Sequence, residues 1–250
     1  MACMPSPEAR FERELNIFRT ETEQATQFYF ALLAINDVAY EEKMVRAFLN
    51  RFALFWNTCA GALQTSAFIA LGRVFDQCSA HNVDKVLRIA QENGQVFSKA
   101  ALARRLGGID PRGSQWVDEF VQDAYEPTPK DFRRLRAYVR KWRRIYEANY
   151  RDVRHKFFAH KETADEAEVA ELFRKGTNRE LQQMLRFLGQ LHRALWQLFF
   201  NGRRPVLRPA RYSVAKMRKR PALPSYSGVG IQEHITREVE ELLKFAAKKH

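Results

Sequence analysis

Four long stretches of the chain repeat apolar residues at intervals of three and four, which places them along one face of an α-helix. The clearest stripe follows Pro129 and consists of Phe132, Leu135, Val139 and Trp142, with arginine and lysine on the opposite face. Eleven glycines and nine prolines in 250 residues are few for a loop-rich fold. The sequence therefore predicts an all-α protein with few or no strands.

Capping residues indicate where these helices begin and end. Ser6 and Thr128 are predicted N-caps, because a proline follows each of them at the first helical position. The last of the four long helices is predicted to stop at Asn201-Gly202. The run from about residue 41 to residue 75 is rich in Phe, Leu and Ala. We expect this run to form the central helix, buried on most of its sides.

The predicted architecture is a four-long-helix bundle with appended parts. The bundle is expected over residues 6–202, with short inserted helices over 77–127 that are broken by "ENG" and "GGIDPRG". Residues 203–250 are expected to form a basic, proline-containing tail that ends in an amphipathic helix. The chain shows no internal repeat and no second core, so one bundle is the economical arrangement.

The net charge of +13 is concentrated in two segments. Residues 128–156 hold eleven Lys and Arg against three acids, and residues 203–220 hold eight against none. Such local positive surfaces indicate a polyanionic partner, and aromatic residues interleaved with the first segment favour nucleic acid. A membrane surface is a weaker alternative, because four prolines between residues 203 and 224 oppose a basic amphipathic helix there. Simple solubility would also account for the charge.

Several classes of protein are disfavoured by missing motifs. The three cysteines form no CxxC pair, so neither a disulfide framework nor a zinc site is predicted. The chain has no P-loop, GxGxxG, HExxH or GxSxG motif, and we expect no cofactor and no metal. The N-terminus lacks the pattern of a signal peptide, and no apolar run is long enough to span a bilayer. A cytoplasmic location is therefore predicted.

One basic segment, "RDVRHKFFAHKE" over residues 151–162, carries candidate chemistry. It contains an R-x5-H pair, Arg154 and His160. The spacing alone is weak support, because Arg186 and His192 repeat it in mid-helix, where a satisfied structural histidine is the simpler interpretation. The first pair differs in its context: a polar residue follows the arginine, and a Phe pair and a small residue precede the histidine. A helix C-terminus whose cations favour the macrodipole is the alternative interpretation.

The segment "RHKFFAH" resembles the R-(polar)-x4-H signature of the HEPN superfamily, whose members are often small all-α ribonucleases. The earlier "ALGRVFD", which ends at Asp76, is similar to the end of the second long helix in the abortive-infection U-type subgroup. The order and separation of the two elements also fit, and the resemblance extends over about residues 10–200. It implies a metal-independent endoribonuclease of the toxin or abortive-infection type.

The residue types suit that reaction, in which a 2′-hydroxyl attacks the adjacent phosphate and leaves a 2′,3′-cyclic phosphate. His160 suits proton transfer, and Arg154 suits stabilisation of the phosphate charge. On a straight α-helix the two residues would lie about 120° and roughly 9 Å apart. Either the helix ends near Phe158, or two protomers share one cleft. The resemblance implies the second arrangement, a homodimer.

Further residues are candidates for supporting roles. The possible helpers are His155, Lys156 and Asp76; each of the first two could equally be a surface group, and Asp76 could instead accept a salt bridge from Arg73 or a facing helix. The predicted RNA-binding residues are Arg133, Arg136, Arg140, Arg143, Arg144 and Arg151. A cognate antitoxin such as a nucleotidyltransferase is an expected partner. The competing hypothesis is a non-catalytic module of the same fold that binds RNA or protein.

Overall fold

The structure is a computed structural model that describes residues 5–107, 114–159, 167, 171, 174–207 and 230–249. Helices account for all its regular elements, which confirms the all-α prediction. In chain order they are α1 (Pro7–Glu41), α2 (Lys43–Arg51), α3 (Ala53–Phe75), α4 (Val83–Glu92), α5 (Lys99–Gly107), α6 (Ser114–Gln122), α7 (Pro129–Asn149), α8 (Asn178–Asn201) and α9 (Ile231–Lys248). A 3₁₀ turn (Gly94–Phe97) precedes α5, and a π-helical segment (Val153–Ala159) follows α7.

The predicted caps lie where the sequence indicated. The Ser6 hydroxyl accepts a hydrogen bond from the backbone N–H of Ala9 at 3.2 Å. At the start of α7, the Asp131 carboxylate accepts from both the backbone N–H and the hydroxyl of Thr128, at 3.0 and 2.9 Å. Gly202 ends α8 with φ of +55°, a conformation that favours glycine. A Cβ there would also lie 2.6 Å from the Ala124 Cβ, so any other residue would clash.

The main core lies between α1, α3, α4, α7 and α8. Each helix contributes side chains that are at most 1% exposed, for example Phe11, Leu71, Leu87, Leu135 and Leu188 in that order. Burial of each such side chain stabilises the fold by about 2 kcal/mol relative to full exposure. The short helix α4 is therefore part of the central bundle and does not simply cover it.

Two smaller clusters extend this core. The last turns of α1 pack with α2 and α9 through Val38, Val45 and Leu243. Helices α5 and α6 form a separate cluster around Leu102 and Val117. The predicted C-terminal helix is thus present and packed against α1 and α2, while the division of the chain into a bundle and a tail stays a prediction.

The expectation of one buried central helix over residues 41–75 was wrong in two respects. The run is broken at Phe52 into α2 and α3, because Phe52 leaves helical geometry with ψ of +40°. The first half of α3 contains no buried residue, and Leu54 is 85% exposed. Only the second half, from Ala67 to Phe75, enters the main core. Composition alone could not show this, because the type of an apolar residue does not reveal whether a partner helix covers its side chain.

A buried carboxylate joins α1 to the start of α4. Glu14 is 5% exposed and lies 2.9 Å from both His81 Nδ1 and Lys85 Nζ. Burial alone would raise the pKa of Glu14, but the hydrogen bonds from His81 and Lys85 outweigh it and hold this pKa below its ordinary value. The network holds the loop after Asp76 against α1.

None of the described helices is both long enough and apolar enough to cross a membrane.

Candidate active site

The segment that contains the candidate arginine leaves α-helical geometry. Helix α7 ends at Asn149, and residues Val153–Ala159 form a π-helical turn. Tyr150, at the junction, donates a hydrogen bond from its hydroxyl to the Thr177 carbonyl at 3.1 Å. In the sequence the apolar stripe of α7 continues at Val153 and Phe157, which predicts one α-helix through Phe157. That prediction was wrong, because Tyr150 leaves helical geometry and is held against the start of α8. Insertions of π-helix are frequent at functional sites.

Arg154 crosses directly over helix α3 at Gly72. A Cβ placed on Gly72 would lie 2.4 Å from the Arg154 Cδ and 2.5 Å from its Nε, closer than side chains pack. Glycine at this position therefore makes the crossing possible. Gly72 is buried in the second half of α3. The side chain of Arg154 is only 20% exposed as a result.

Beyond Gly72, the Arg154 guanidinium meets the carboxylate of Asp76. Its Nη1 forms a close ion pair with Asp76 Oδ2 and lies 3.3 Å from His155 Nε2. The same His155 nitrogen is 3.9 Å from Asp76 Oδ2, so the three side chains form one cluster. Asp76 thus contacts the segment facing it, and the alternative partner Arg73 binds Glu21 on α1 at 3.3 Å.

The electrostatics of this cluster favour an anionic ligand. Burial, and then the nearby charge of Arg73, lower the pKa of Arg154. A guanidinium nevertheless stays cationic in proteins. The lowered pKa therefore reflects the free-energy cost of keeping this positive charge partly buried and near Arg73. Asp76 offsets part of that cost. A second anion, such as a phosphate, would offset more of it.

Other predicted residues are placed less favourably or not at all. Lys156 is half-buried, and the structure does not bring it into the cluster. His160 lies outside the described residues, as do the side chains of Phe157 and Phe158. The distance between Arg154 and His160 therefore stays a prediction. The catalytic role of each residue also stays a prediction.

A basic groove begins at the loop that follows Asp76. It has a volume of about 800 Å³ and lies between that loop, α4 and α7. Six cations line it, Lys85, Arg88, Arg133, Arg136, Arg140 and Arg143, with Asp84 as the one carboxylate among the described lining residues. Gln77 and Ser79 also line it, and Gln77 directly follows Asp76 in the chain. The groove can therefore guide a polyanion towards Asp76 and Arg154.

The predicted RNA-binding arginines fall into three groups. Arg133, Arg136 and Arg140 line the basic groove together. Arg143 also borders it, but its side chain is only 8% exposed and binds Asp84 at 2.8 Å, which is a structural ion pair. Arg144 and Arg151 are exposed and lie outside the groove lining. We therefore keep only the first group as groove contacts.

Sequence reasoning missed three residues of this region. Gly72 stands inside the quoted "GRVFD", but nothing in the sequence showed that an arginine crosses there. Lys85 and Arg88 belong to α4, which was interpreted as part of an insertion. Their spacing of three on an amphipathic helix was the available signal, since it places them on one face.

The described residues offer no obvious set of ligands for a metal ion. Among the described residues, no three His, Cys, Asp or Glu side chains converge closely enough to hold a metal ion.

Comparison with known proteins identifies the family. The HEPN family AbiU2 matches residues 8–215, which includes α1 to α8, Asp76 and the whole "RHKFFAH" segment. No curated protein and no solved structure matches the chain. The match covers most of the sequence and agrees with the all-helical fold, the resemblance of "RHKFFAH" and the resemblance of "GRVFD". The chain therefore belongs to the AbiU2 family of HEPN proteins.

Proposed function

We propose that the protein is a metal-independent endoribonuclease of the toxin or abortive-infection type, acting in the cytoplasm. The observation that carries the proposal is the placement of Arg154. It is held over Gly72 and against Asp76, and Gln77, the residue after Asp76, lines a groove rich in cations. Membership of the HEPN family supports a ribonuclease-like or abortive-infection role.

The proposed reaction needs no external water in its first step. The 2′-hydroxyl of a nucleotide loses its proton to a base and attacks the adjacent phosphorus, and the bond to the 5′-oxygen breaks. The products are a 2′,3′-cyclic phosphate and a 5′-hydroxyl that takes up a proton. Arg154 would stabilise the negative charge on the phosphate oxygens, and His160 would transfer a proton.

Asp76 and His155 act as positioning residues in this proposal. Asp76 binds one edge of the Arg154 guanidinium, which leaves donors on the other edges for phosphate oxygens. His155 is half-exposed beside both groups and could orient the RNA. Lys156 is left without an assigned role.

Cleavage in the presence of EDTA tests the proposal. Wild-type protein should cut single-stranded RNA and leave 2′,3′-cyclic phosphate ends, which mass spectrometry of the fragments detects. The variant His160→Ala should be about 100- to 10,000-fold slower, the range expected for loss of a general acid or base. If the wild type binds RNA tightly and leaves a broad set of RNAs intact, the non-catalytic module is the better assignment.

The basic groove should supply much of the RNA affinity. Replacing Arg133 and Arg140 together by alanine should weaken binding of single-stranded RNA about 10-fold at moderate salt. The slope of log affinity against log salt should fall by about 1.4, since each lost phosphate contact removes about 0.7. Fluorescence anisotropy over a salt series measures both quantities.

A matched control removes the same charge elsewhere. Lys141 lies outside the groove on α7, and Lys248 is exposed on α9. The double variant Lys141→Ala, Lys248→Ala should change the affinity much less than the groove variant. Equal losses in the two double variants would show that overall charge, and not the groove, binds RNA.

We further propose a homodimer that forms through an apolar end of the molecule. This apolar end consists of exposed side chains around the cluster of α2 and α9, namely Tyr40, Met44, Phe52, Leu54, Phe55, Leu242 and Phe245. Residues 37–66 and 231–249 each carry equal numbers of acids and of Lys and Arg, although the whole chain is +13. A second copy is thus the favoured occupant, since two such surfaces can meet without charge repulsion.

Scattering measurements test this dimer. Wild-type protein should have twice the 29.3 kDa of one chain, and Leu54→Glu with Phe55→Glu should yield monomers. The control Val206→Glu changes a side chain that is 55% exposed away from the apolar end and should stay dimeric. A monomeric wild type, or dimers of the double variant, would contradict the proposed interface.

The same variant separates dimerisation from catalysis. Leu54 and Gly72 are 18 residues apart on α3, about 27 Å along its axis, so the substitutions do not touch the Arg154 cluster directly. An interface confined to the apolar end keeps the two Arg154 clusters apart, so a cleft that two protomers share would need further contacts near the cluster. Monomers without activity would indicate such contacts. Monomers that still cleave RNA would contradict a shared cleft.

An antitoxin completes the proposal. A ribonuclease that cuts cellular RNA must be kept inactive until it is needed. We propose a nucleotidyltransferase as the kind of antitoxin that inhibits it. Co-expression from the neighbouring coding sequence, followed by co-purification, would test for it.

A further inference from the structure

A second arginine lies beside the Arg154 cluster, on helix α3. Arg73 directly follows Gly72, the residue over which Arg154 crosses. It precedes Asp76 by three positions, which is about one helical turn. Burial, and then the positive charge of Arg73, lower the pKa of the Arg154 guanidinium. Two cations from different elements of the fold therefore lie close together at the candidate active site.

Each of the two arginines is held by a carboxylate of its own. Asp76 binds Arg154, whereas Glu21 on α1 accepts from Arg73 Nη1 at 3.4 Å with Oε1 and at 3.3 Å with Oε2. These distances exceed the roughly 2.8 Å that is typical of charge-assisted hydrogen bonds. Both contacts use the same nitrogen, and Arg73 Nε and Nη2 have no acceptor among the described residues. Arg73 can therefore bind a phosphate with these donors while it keeps its contact with Glu21.

A purely structural role explains Arg73 poorly. Its side chain is 52% exposed, and an ion pair at such a position contributes little to stability because solvent screens it. The repulsion between Arg73 and Arg154 also opposes the arrangement that brings them together. Phosphate groups bound there would interact favourably with both guanidinium groups and reduce this repulsion. An anionic ligand therefore explains the two neighbouring cations better than the fold does.

The two arginines differ in exposure and in direction. The side chain of Arg154 is only 20% exposed and lies against α3, so it is less accessible than that of Arg73. The ion-pair partner of Arg73 among the described residues is Glu21, so its guanidinium is directed towards α1 and not towards Asp76. Arg73 is also not among the residues that line the basic groove. An RNA strand with one phosphate on Arg154 would therefore meet Arg73 with a neighbouring phosphate.

We infer that Arg73 is a substrate-binding residue that takes the RNA phosphate next to the one held by Arg154. The inference rests on the proposed ribonuclease reaction and adds a specificity to the same site, because the preferred RNA must carry two adjacent phosphates. Arg73 contacts the substrate away from the reacting bond. Its loss should therefore raise KM and leave kcat nearly unchanged, in contrast to the loss of Arg154.

Cleavage of two short RNAs in EDTA tests the inference. A trinucleotide with two phosphodiesters can occupy both arginines, whereas a dinucleotide has one phosphodiester and can occupy only Arg154. Arg73→Ala should raise KM for the trinucleotide about 10-fold and change kcat/KM for the dinucleotide by less than about two-fold. Arg73→Lys should recover much of the loss, because an ammonium keeps the charge of the contact. Equal effects on the two RNAs, or a loss confined to kcat, would overturn the inference.

Binding of RNA that cannot be cut separates this inference from the proposed reaction. With a single-stranded 2′-O-methyl RNA, Arg73→Ala should reduce the slope of log affinity against log salt by about 0.7, the share of one phosphate contact. Arg19→Ala is the matched control, because Arg19 is also 52% exposed and lies 3.3 Å from its partner Glu23, and it should keep the wild-type slope.

The two binding outcomes lead to different conclusions. A wild-type slope in Arg73→Ala, or the same reduction in Arg19→Ala, would overturn the inference even if the wild type cleaves RNA. A reduced slope in Arg73→Ala alone, with no cleavage by the wild type, would support the phosphate contact and contradict the proposed reaction.

Discussion

Replacing Arg154 by alanine should slow metal-independent RNA cleavage by about 100- to 1000-fold, the loss expected when a donor to the developing phosphate charge is removed. The effect should be on kcat, because the basic groove still binds the RNA. Initial rates with a labelled single-stranded RNA in EDTA, measured above and below KM, separate the two parameters. Arg154→Lys should restore only part of the rate, because an ammonium keeps the charge but cannot bind two phosphate oxygens in the bidentate geometry of a guanidinium.

Two controls distinguish a catalytic role from loss of structure. Arg151→Ala removes an exposed arginine from the same basic segment, one whose Nε lies 3.8 Å from Asp152 Oδ1, and should reduce the rate only a few-fold. Thermal melts should show that Arg154→Ala stays folded, although Asp76 loses the partner it has in the wild type. Cleavage by Arg154→Ala at the wild-type rate would refute the assignment of this arginine.

Gly72→Ala should slow the proposed RNA cleavage almost as strongly without changing any reacting group. The new Cβ would lie 2.4 Å from Arg154 Cδ, so the side chain must move and its guanidinium must leave Asp76. The moving atoms belong to the flexible part of an arginine, which means that the fold itself can adapt at small cost. We expect a 10- to 100-fold lower kcat, about 1.4 to 2.8 kcal/mol of lost transition-state stabilisation, with RNA affinity within about two-fold of wild type.

Helix α3 provides its own matched control. Gly61 lies on the same helix, and a Cβ there would meet nothing within 4 Å. Gly61→Ala should therefore keep full activity and raise stability by up to about 1 kcal/mol through helix propensity. The double variant Gly72→Ala, Arg154→Ala should be no slower than Arg154→Ala alone, because both substitutions remove the same interaction. If the double variant instead lost rate by the product of the two single-variant losses, Gly72 would act through another group.

Much of the fold could be predicted because its signals are local. The cap at Ser6, the cap at Thr128 and the stop at Gly202 depend on hydrogen bonds and dihedral angles within a few residues, and the structure confirms all three. The break at Phe52 was missed, since the apolar pattern continues through it. The π-helical turn after Tyr150 was missed for a different reason. It accompanies a contact with Thr177, which is distant in sequence.

The candidate site was predictable in part. Arg154 and Asp76 were selected from two separate motifs, and the structure brings them into contact. The sequence left Asp76 with several possible partners, and packing decided among them, because Glu21 on α1 binds Arg73. Arg143 shows the opposite case. Its position in the basic stripe suggested RNA contact, but its ion pair with Asp84 depends on α4 lying beside α7.

The sequence by itself determined the helical class, the ends of the main helices, the basic character of one face and the residue types available for phosphate chemistry. These follow from periodicity, capping and charge, which act over one or two helical turns. Only the tertiary structure decided which surfaces are covered, where the first half of α3 is exposed, and that Gly72 lets Arg154 reach Asp76. The physical reason is that burial and ion pairing depend on which helices pack together, and a helix carries the same local signals whatever lies against it.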